Sequence, residues 1–156
     1  MATWTNEDGL LLRFGVDRAA ERVDGIAQRK VQQLVVDLPS AAALADTDTA
    51  AVAGDVTFIP AGANILSAVF VVDTAFTSSG GGTLDIGLKQ AAGTNIDDDG
   101  IDSAVAVAAL GARQGVLCDG AMIGDKLEFD SYVMFTYDTA VFQTGAGRLI
   151  IEFMVD

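Results

Sequence analysis

Apolar and polar residues alternate along most of the chain after position 50, which is the pattern of β-strands with one buried face. Leu84, Ile86 and Leu88 fall on one side of such a segment. The segment from 126 to 137 alternates in the same way and is interrupted only at Ser131. Near the end of the sequence one face is formed by Leu149, Ile151, Phe153 and Val155. These segments are predicted to be half-buried strands.

A different strand is predicted from 65 to 76, where apolar residues occupy both faces. Pro60 and Gly62 supply turn chemistry just before it. A strand covered on both sides is typical of a sandwich interior or of an interface between subunits. Further strands are predicted at 10–16 and 31–38.

Strand candidates separated by Gly- and Asp-rich turns predict an all-β fold. We expect a jelly-roll-like β-sandwich with an extended N-terminal arm and at most one or two short helices. Residues 1–50 are predicted to form the arm and its connection, and residues 51–156 the β-sandwich body. The length of 156 residues suits one such domain.

Composition removes several classes of function. The chain has no histidine and a single cysteine, Cys118, which excludes Ser-His-Asp chemistry, an internal disulfide and a multi-cysteine zinc site. No apolar run approaches the roughly 18 residues of a membrane span, and the N-terminal residues do not form a secretory signal. We therefore expect a soluble protein without membrane contact.

The charge of the chain is unevenly distributed. Residues 1–30 contain five basic and five acidic residues and are neutral, whereas the remainder has four basic and seventeen acidic residues and carries the whole net charge of −13. Because this body repels phosphate backbones, no nucleic-acid partner is expected. The asymmetry suggests two surfaces with different tasks, although chance combined with solubility would explain it equally well.

The acidic segment from Asn95 to Asp102 resembles the first half of a calcium loop. Counted from Asn95, however, the position of the essential bidentate acid is occupied by Ala106. The segment is therefore predicted to be an acidic turn in which Gly100 supplies the special dihedral. No metal or other cofactor is expected, and the alternative is a weak surface cation site at Asp97, Asp99 or Asp102. For residues 101–110, alanine content and apolar spacing favour a short helix, with a strand as the alternative.

No catalytic apparatus is apparent. Glu128, Asp130 and Glu152 could form a glycosidase-like carboxylate pair, but they occur on the polar faces of predicted strands and are read as solvated. Cys118 has no base nearby in sequence and is read as a small buried apolar residue. The chain is therefore predicted not to be an enzyme.

The N-terminal arm is unusually apolar for a chain end. We predict it to be a partner-binding segment, in which it either forms an edge strand of its own sandwich or adds to a neighbouring chain as a strand. The candidate partner-binding residues are Trp4, Leu10, Leu11, Leu12 and Phe14.

The order of several short phrases resembles that of small capsid decoration (cement) proteins and related head proteins of tailed bacteriophages. The first phrase is Asn6–Gly15, NEDGLLLRFG, and the second is the turn Ile59–Ala63, IPAGA, before a long apolar strand. The strand Leu84–Leu88 follows, and then an acidic loop, an Ala- and Val-rich segment and a final strand. The charged segment 17–30 matches no pattern of the family.

The resemblance implies a virion structural protein on the outer surface of a phage capsid. Its expected partners are the major capsid protein and further copies of itself, commonly as a homotrimer, with the N-terminal arm helping to fasten it. The alternative is a carbohydrate- or receptor-binding β-sandwich module of a phage head or tail fibre. Exposed aromatic residues, which such sites usually need, are scarce in this sequence.

Overall fold

The computed structural model describes residues 2–5, 11–14, 31–38, 40–44, 58–90, 93–138 and 140–155. The chain divides into two compact units, residues 1–30 and 31–156. In the first unit, strands β1 (Ala2–Thr5) and β2 (Leu11–Phe14) pair antiparallel as a hairpin. No helix in the described part of the chain is long and apolar enough to cross a membrane.

The described residues of the second unit form seven strands and two short 3-10 helices. The helices are Ala41–Ala43 and Val107–Ala109. The strands are β3 (Val31–Leu38), β4 (Ala63–Ser78), β5 (Thr83–Gln90), β6 (Asn95–Val105), β7 (Gly115–Leu117), β8 (Ser131–Asp138) and β9 (Phe142–Val155). One sheet has the order β3-β9-β4-β7 and the other the order β6-β5-β8, and all of these pairings are antiparallel.

Two of the alternating sequence segments, 84–88 and 149–155, form the strands that were predicted from them. Leu84, Ile86 and Leu88 are completely buried on the inner face of β5. The alternating apolar residues of β9 are likewise buried, apart from the partly exposed Val155. Because successive side chains of a strand point to opposite faces, this local pattern is enough to identify the core face.

β4 changes its pattern at a β-bulge between Ile65 and Ser67. Ile65 is buried, and after the bulge the inner face continues through Ala68, Phe70 and Val72. The extra residue, Leu66, is 43% exposed. The two-sided apolar character of this segment therefore arises from a core face and a second, outer apolar face.

The two sheets enclose one hydrophobic core. Phe70 of β4 meets Phe135 of β8 edge to face, with ring centroids 6.1 Å apart. Phe76 contacts both Phe70 and Phe142, at 6.0 Å and 5.3 Å. Such tilted aromatic contacts are favourable in a core, and the contact between Phe70 and Phe135 joins the two sheets. The predicted all-β sandwich with at most short helical turns is confirmed.

Two local predictions need correction. The short helix favoured over 101–110 is wrong, because β6 continues to Val105 by pairing with β5, and a single 3-10 turn follows. The strand predicted from 126 begins only at Ser131, whose hydroxyl donates to the Phe129 carbonyl at 2.7 Å. As a consequence Phe129 is 47% exposed instead of lying on the core face.

The predicted arm and body meet at residue 50, which lies outside the described residues. Strand β3, within the first fifty residues, pairs along its whole length with β9. It therefore belongs to the four-stranded sheet.

Candidate interaction surface

The outer face of the four-stranded sheet carries a continuous apolar row. Val35 of β3 pairs with Ile150 of β9, Ile150 pairs with Val69 of β4, and Val69 pairs with Leu117 of β7. Cross-strand partners share one face of a sheet, so the four residues cross it from edge to edge. Val35 is 44% and Leu117 70% exposed, and the two central residues are partly exposed. We call this row the outer stripe.

A charged row lies beside the outer stripe. Arg148 pairs in the sheet with Asp37 of β3, and its guanidinium donates two hydrogen bonds to Asp73, from Nη2 at 2.7 Å and from Nε at 3.1 Å. The bidentate contact holds the pKa of Asp73 below its ordinary value and raises the pKa of Arg148. Both side chains are solvent-exposed, so the ion pair fixes the orientation of the Arg148 side chain and contributes little to the stability of the fold.

The other side of the outer stripe is polar. Glu152 pairs with Gln33 of β3 and with Ser67 of β4. The Ser67 hydroxyl donates to Glu152 Oε2 at 3.1 Å. An apolar centre with polar rows on both sides is the usual anatomy of a protein interface.

The predicted partner-binding residues occupy the N-terminal hairpin, except Leu10, which lies outside the described residues. The register places Trp4 opposite Leu12 and Ala2 opposite Phe14, so these four positions share one face. Leu11 is opposite Thr5, on the other face. Their role in partner binding stays a prediction.

The segment predicted as an acidic turn is instead the start of β6, which pairs with β5 through several register shifts. Gly100 does not have a positive φ, and its importance is spatial. A Cβ there would lie 2.5 Å from Met122 Cγ and 2.9 Å from the Asp97 side chain. The positive φ of 53° belongs to Ala104, whose N–H donates to Asp85 Oδ1 at 2.6 Å.

Three consecutive acids form an exposed cluster on β6. Asp97, Asp98 and Asp99 each place a carboxylate oxygen within 4.8 Å of the others. The Asp99 N–H donates to Asp97 Oδ1 at 3.4 Å, and burial raises the pKa of Asp97. A strand without flanking helices excludes the EF-hand geometry. The absence of a bound metal stays a prediction.

The groups considered for catalysis have structural surroundings. Asp130 Oδ1 accepts from the Ala61 N–H at 2.8 Å, Glu152 accepts from Ser67, and Glu128 is exposed. Cys118 is buried as predicted, and burial raises the pKa of its thiol to about 12. A thiol that stays protonated at neutral pH is a poor nucleophile.

Sequence reasoning did not find the outer stripe. Val69 was recognised as part of a two-sided strand, but nothing marked Val35, Leu117 or Ile150. Each of them is an ordinary apolar residue in its own segment, and single exposed apolar residues are common. The signal lies in the strand register, which the sequence does not display.

No protein-family model matches the chain, and no curated protein matches it. Solved structures with the same fold include a chain of the cyanophage Pam1 capsid asymmetric unit, with a TM-score of 0.51 and 20% identity over 81% of this chain and 84% of that one. A chain of the Ralstonia phage GP4 capsid gives 0.55 and 18%, over 81% and 85%. A chain of the acid-stable capsid of Helicobacter pylori bacteriophage KHP30 gives 0.54 and 8%, over 80% and 87%. The chain therefore shares its fold with chains of three phage capsid structures.

Proposed function

We propose that this chain is a virion structural protein that decorates and stabilises a phage head. In this role it binds the outer surface of the shell formed by the major capsid protein, and it does so through its N-terminal arm and through contacts between its own subunits, as a homotrimer. Its role is mechanical and not enzymatic. It has no nucleic-acid or membrane partner.

The observation that carries the proposal is the shared fold. Three chains from phage capsid structures match about four-fifths of this chain with TM-scores above 0.5. The decoration role is supported by the resemblance of sequence phrases, beginning with Asn6–Gly15. It is supported further by the outer stripe, because an exposed apolar row bordered by polar rows suits a protein that works in an assembly.

Stabilisation by such a protein follows from numbers of contacts. Each copy adds a modest interface, and many copies on one shell act together, so that weak individual contacts give strong overall retention. A neutral segment of thirty residues beside an acidic body allows the arm to approach a shell while the bodies repel one another.

The proposal is tested by co-sedimentation with heads assembled from the major capsid protein of the same phage. We expect the full chain to pellet with heads and a variant without residues 1–15 to stay largely in the supernatant. Since residues 31–156 form their own compact unit, the body of the deletion variant should still unfold in a cooperative thermal transition, which shows that it is folded. A full-length Leu12→Asp variant serves as a second measure of the arm.

The two parts of the proposal fail separately. Undiminished pelleting of the deletion variant would show that the arm does not fasten the protein. Failure of the full chain itself to bind heads would contradict the decoration role.

A further inference from the structure

We propose that the outer stripe is the docking site for the N-terminal hairpin of a second copy of this chain. The inference rests on the proposed function, which requires contacts between subunits, and it assigns those contacts to two defined surfaces. The exposures of Val35 and Leu117 are those of the single chain. The requirement for contacts between subunits assigns the covering hairpin to a second copy, and docking on the same chain is a separate outcome of the test below.

The register of the hairpin groups its apolar positions on one face. A two-stranded hairpin is marginally stable in water unless it packs against something else. The register places four apolar residues at positions on one of its faces. Of the four residues at positions on the other face, three are polar or charged. The apolar positions are Ala2, Trp4, Leu12 and Phe14.

The dimensions of the two surfaces agree. The outer stripe crosses four strands, and at about 4.8 Å between neighbouring strands it is about 14 Å long. Each strand of the hairpin has four residues, which at about 3.4 Å per residue cover about 13 Å. A hairpin laid along the stripe would cross the strands of the sheet steeply, which is one of the two accepted ways in which sheets pack face to face.

Charge favours the hairpin over a second body as the occupant. The rows beside the outer stripe contain three acids and one base: Asp37, Asp73, Glu152 and Arg148. A second body would bring another thirteen net negative charges, whereas residues 1–30 bring none. A single row of four side chains is also far smaller than the roughly 800 Å² per partner of a standard interface between globular domains.

The connection is long enough to reach a neighbour. Sixteen residues, 15–30, separate the hairpin from the start of β3. An extended chain of this length spans up to about 50 Å, more than the width of a small domain. Exchange of hairpins around a ring of subunits would close an assembly such as a trimer.

The test uses disulfide formation between two co-expressed full-length variants of the chain. One carries Ala2→Cys, on the apolar face of the hairpin, and the other carries Val35→Cys and is labelled with nitrogen-15. Because each chain has only one engineered cysteine, a 2–35 crosslink can form only between copies. Native Cys118 is buried and its thiol stays protonated, so it does not compete.

The matched control for the hairpin is Thr3→Cys, the neighbouring position on the opposite face. The control for the body is Ser103→Cys, an exposed position on β6 in the other sheet. Docking raises the effective concentration of the two thiols, so we expect the 2–35 crosslink to form with about tenfold higher yield than either control pair. Mass spectrometry of the linked peptides, one labelled and one unlabelled, measures this yield.

Equal yields for all pairs would overturn the proposal. The proposal would also be overturned if the 2–35 crosslink formed in an Ala2→Cys/Val35→Cys double variant but not between the two single variants, because the hairpin would then dock on its own chain. The experiment contains no phage heads. A negative crosslinking result would therefore not contradict the decoration role. A failure of the full chain to bind heads would likewise not contradict a positive crosslinking result.

Discussion

Phe70 of the four-stranded sheet contacts Phe135 of the three-stranded sheet in the core, and its truncation gives a sharp test of the fold. The ring is completely buried and meets both Phe76 and Phe135 edge to face. Truncation of a core Phe to Ala costs about 3–5 kcal/mol, and each tilted ring pair adds about 0.5–1.5 kcal/mol beyond burial. We expect Phe70→Ala to lower the free energy of unfolding by about 4–5 kcal/mol, a large share of the roughly 5–15 kcal/mol of a typical domain.

A conservative variant separates ring contacts from burial. Phe70→Leu retains most of the apolar area and loses both ring pairs, so its expected cost is about 1–3 kcal/mol. The matched control is Leu66→Ala, in the same strand but 43% exposed, with an expected cost of about 1 kcal/mol or less. Urea unfolding followed by circular dichroism is the appropriate assay, because the one tryptophan, Trp4, lies in the hairpin. A Phe70→Ala cost no larger than that of Leu66→Ala would refute the packing of the two sheets through this ring.

Two further predictions concern the sheet that contains β6. A Cβ on Gly87 would overlap the backbone carbonyl of Asp98, so we expect Gly87→Ala to separate β5 from β6 and to cost about 1–3 kcal/mol in urea unfolding; an unchanged midpoint would contradict this. Burial raises the pKa of Asp85 and of Asp102 above the ordinary 3.8, so each carboxyl binds its proton more tightly in the folded state, and the melting temperature should rise as the pH falls through these raised pKa values. Asp85→Asn and Asp102→Asn should each reduce that rise between about pH 7 and pH 4, and an unaltered pH profile in both variants would exclude these groups as its source.

The core of the sandwich could be predicted from the sequence because it depends on local alternation. In residues 84–88 of β5 and 149–155 of β9 every second residue is apolar, and the pleat alone sends these residues to one face. Leu84, Ile86 and Leu88 could therefore be assigned to the core without knowledge of their partners. Cys118 was read as a small buried apolar residue from its residue type alone, and it is buried.

The segment after Gly100 could not be predicted, because its conformation is decided by a partner strand. The alanines of 104–109 favour a helix, but propensity is a weak term that pairing with β5 overrides. The strand keeps Ile101 and Val105 in the core by means of register shifts. One of these irregularities places Ala104 at positive φ, and the Asp85 carboxylate, distant in sequence, fixes it there.

The outer stripe depends on an irregularity of the same kind. Ile65 and Ala68 are both buried although they are three positions apart along β4, and strict alternation would send one of them outward. The bulge between Ile65 and Ser67 absorbs the odd residue, so that Phe70 faces the core and Val69 faces outward beside Ile150. A strand without the bulge could keep Ile65 inside only by exposing Phe70. The single extra residue therefore decides both the contact between the sheets and the alignment of the apolar row. For this reason the outer stripe depends on how the strands are paired, and no single segment of the sequence reveals it.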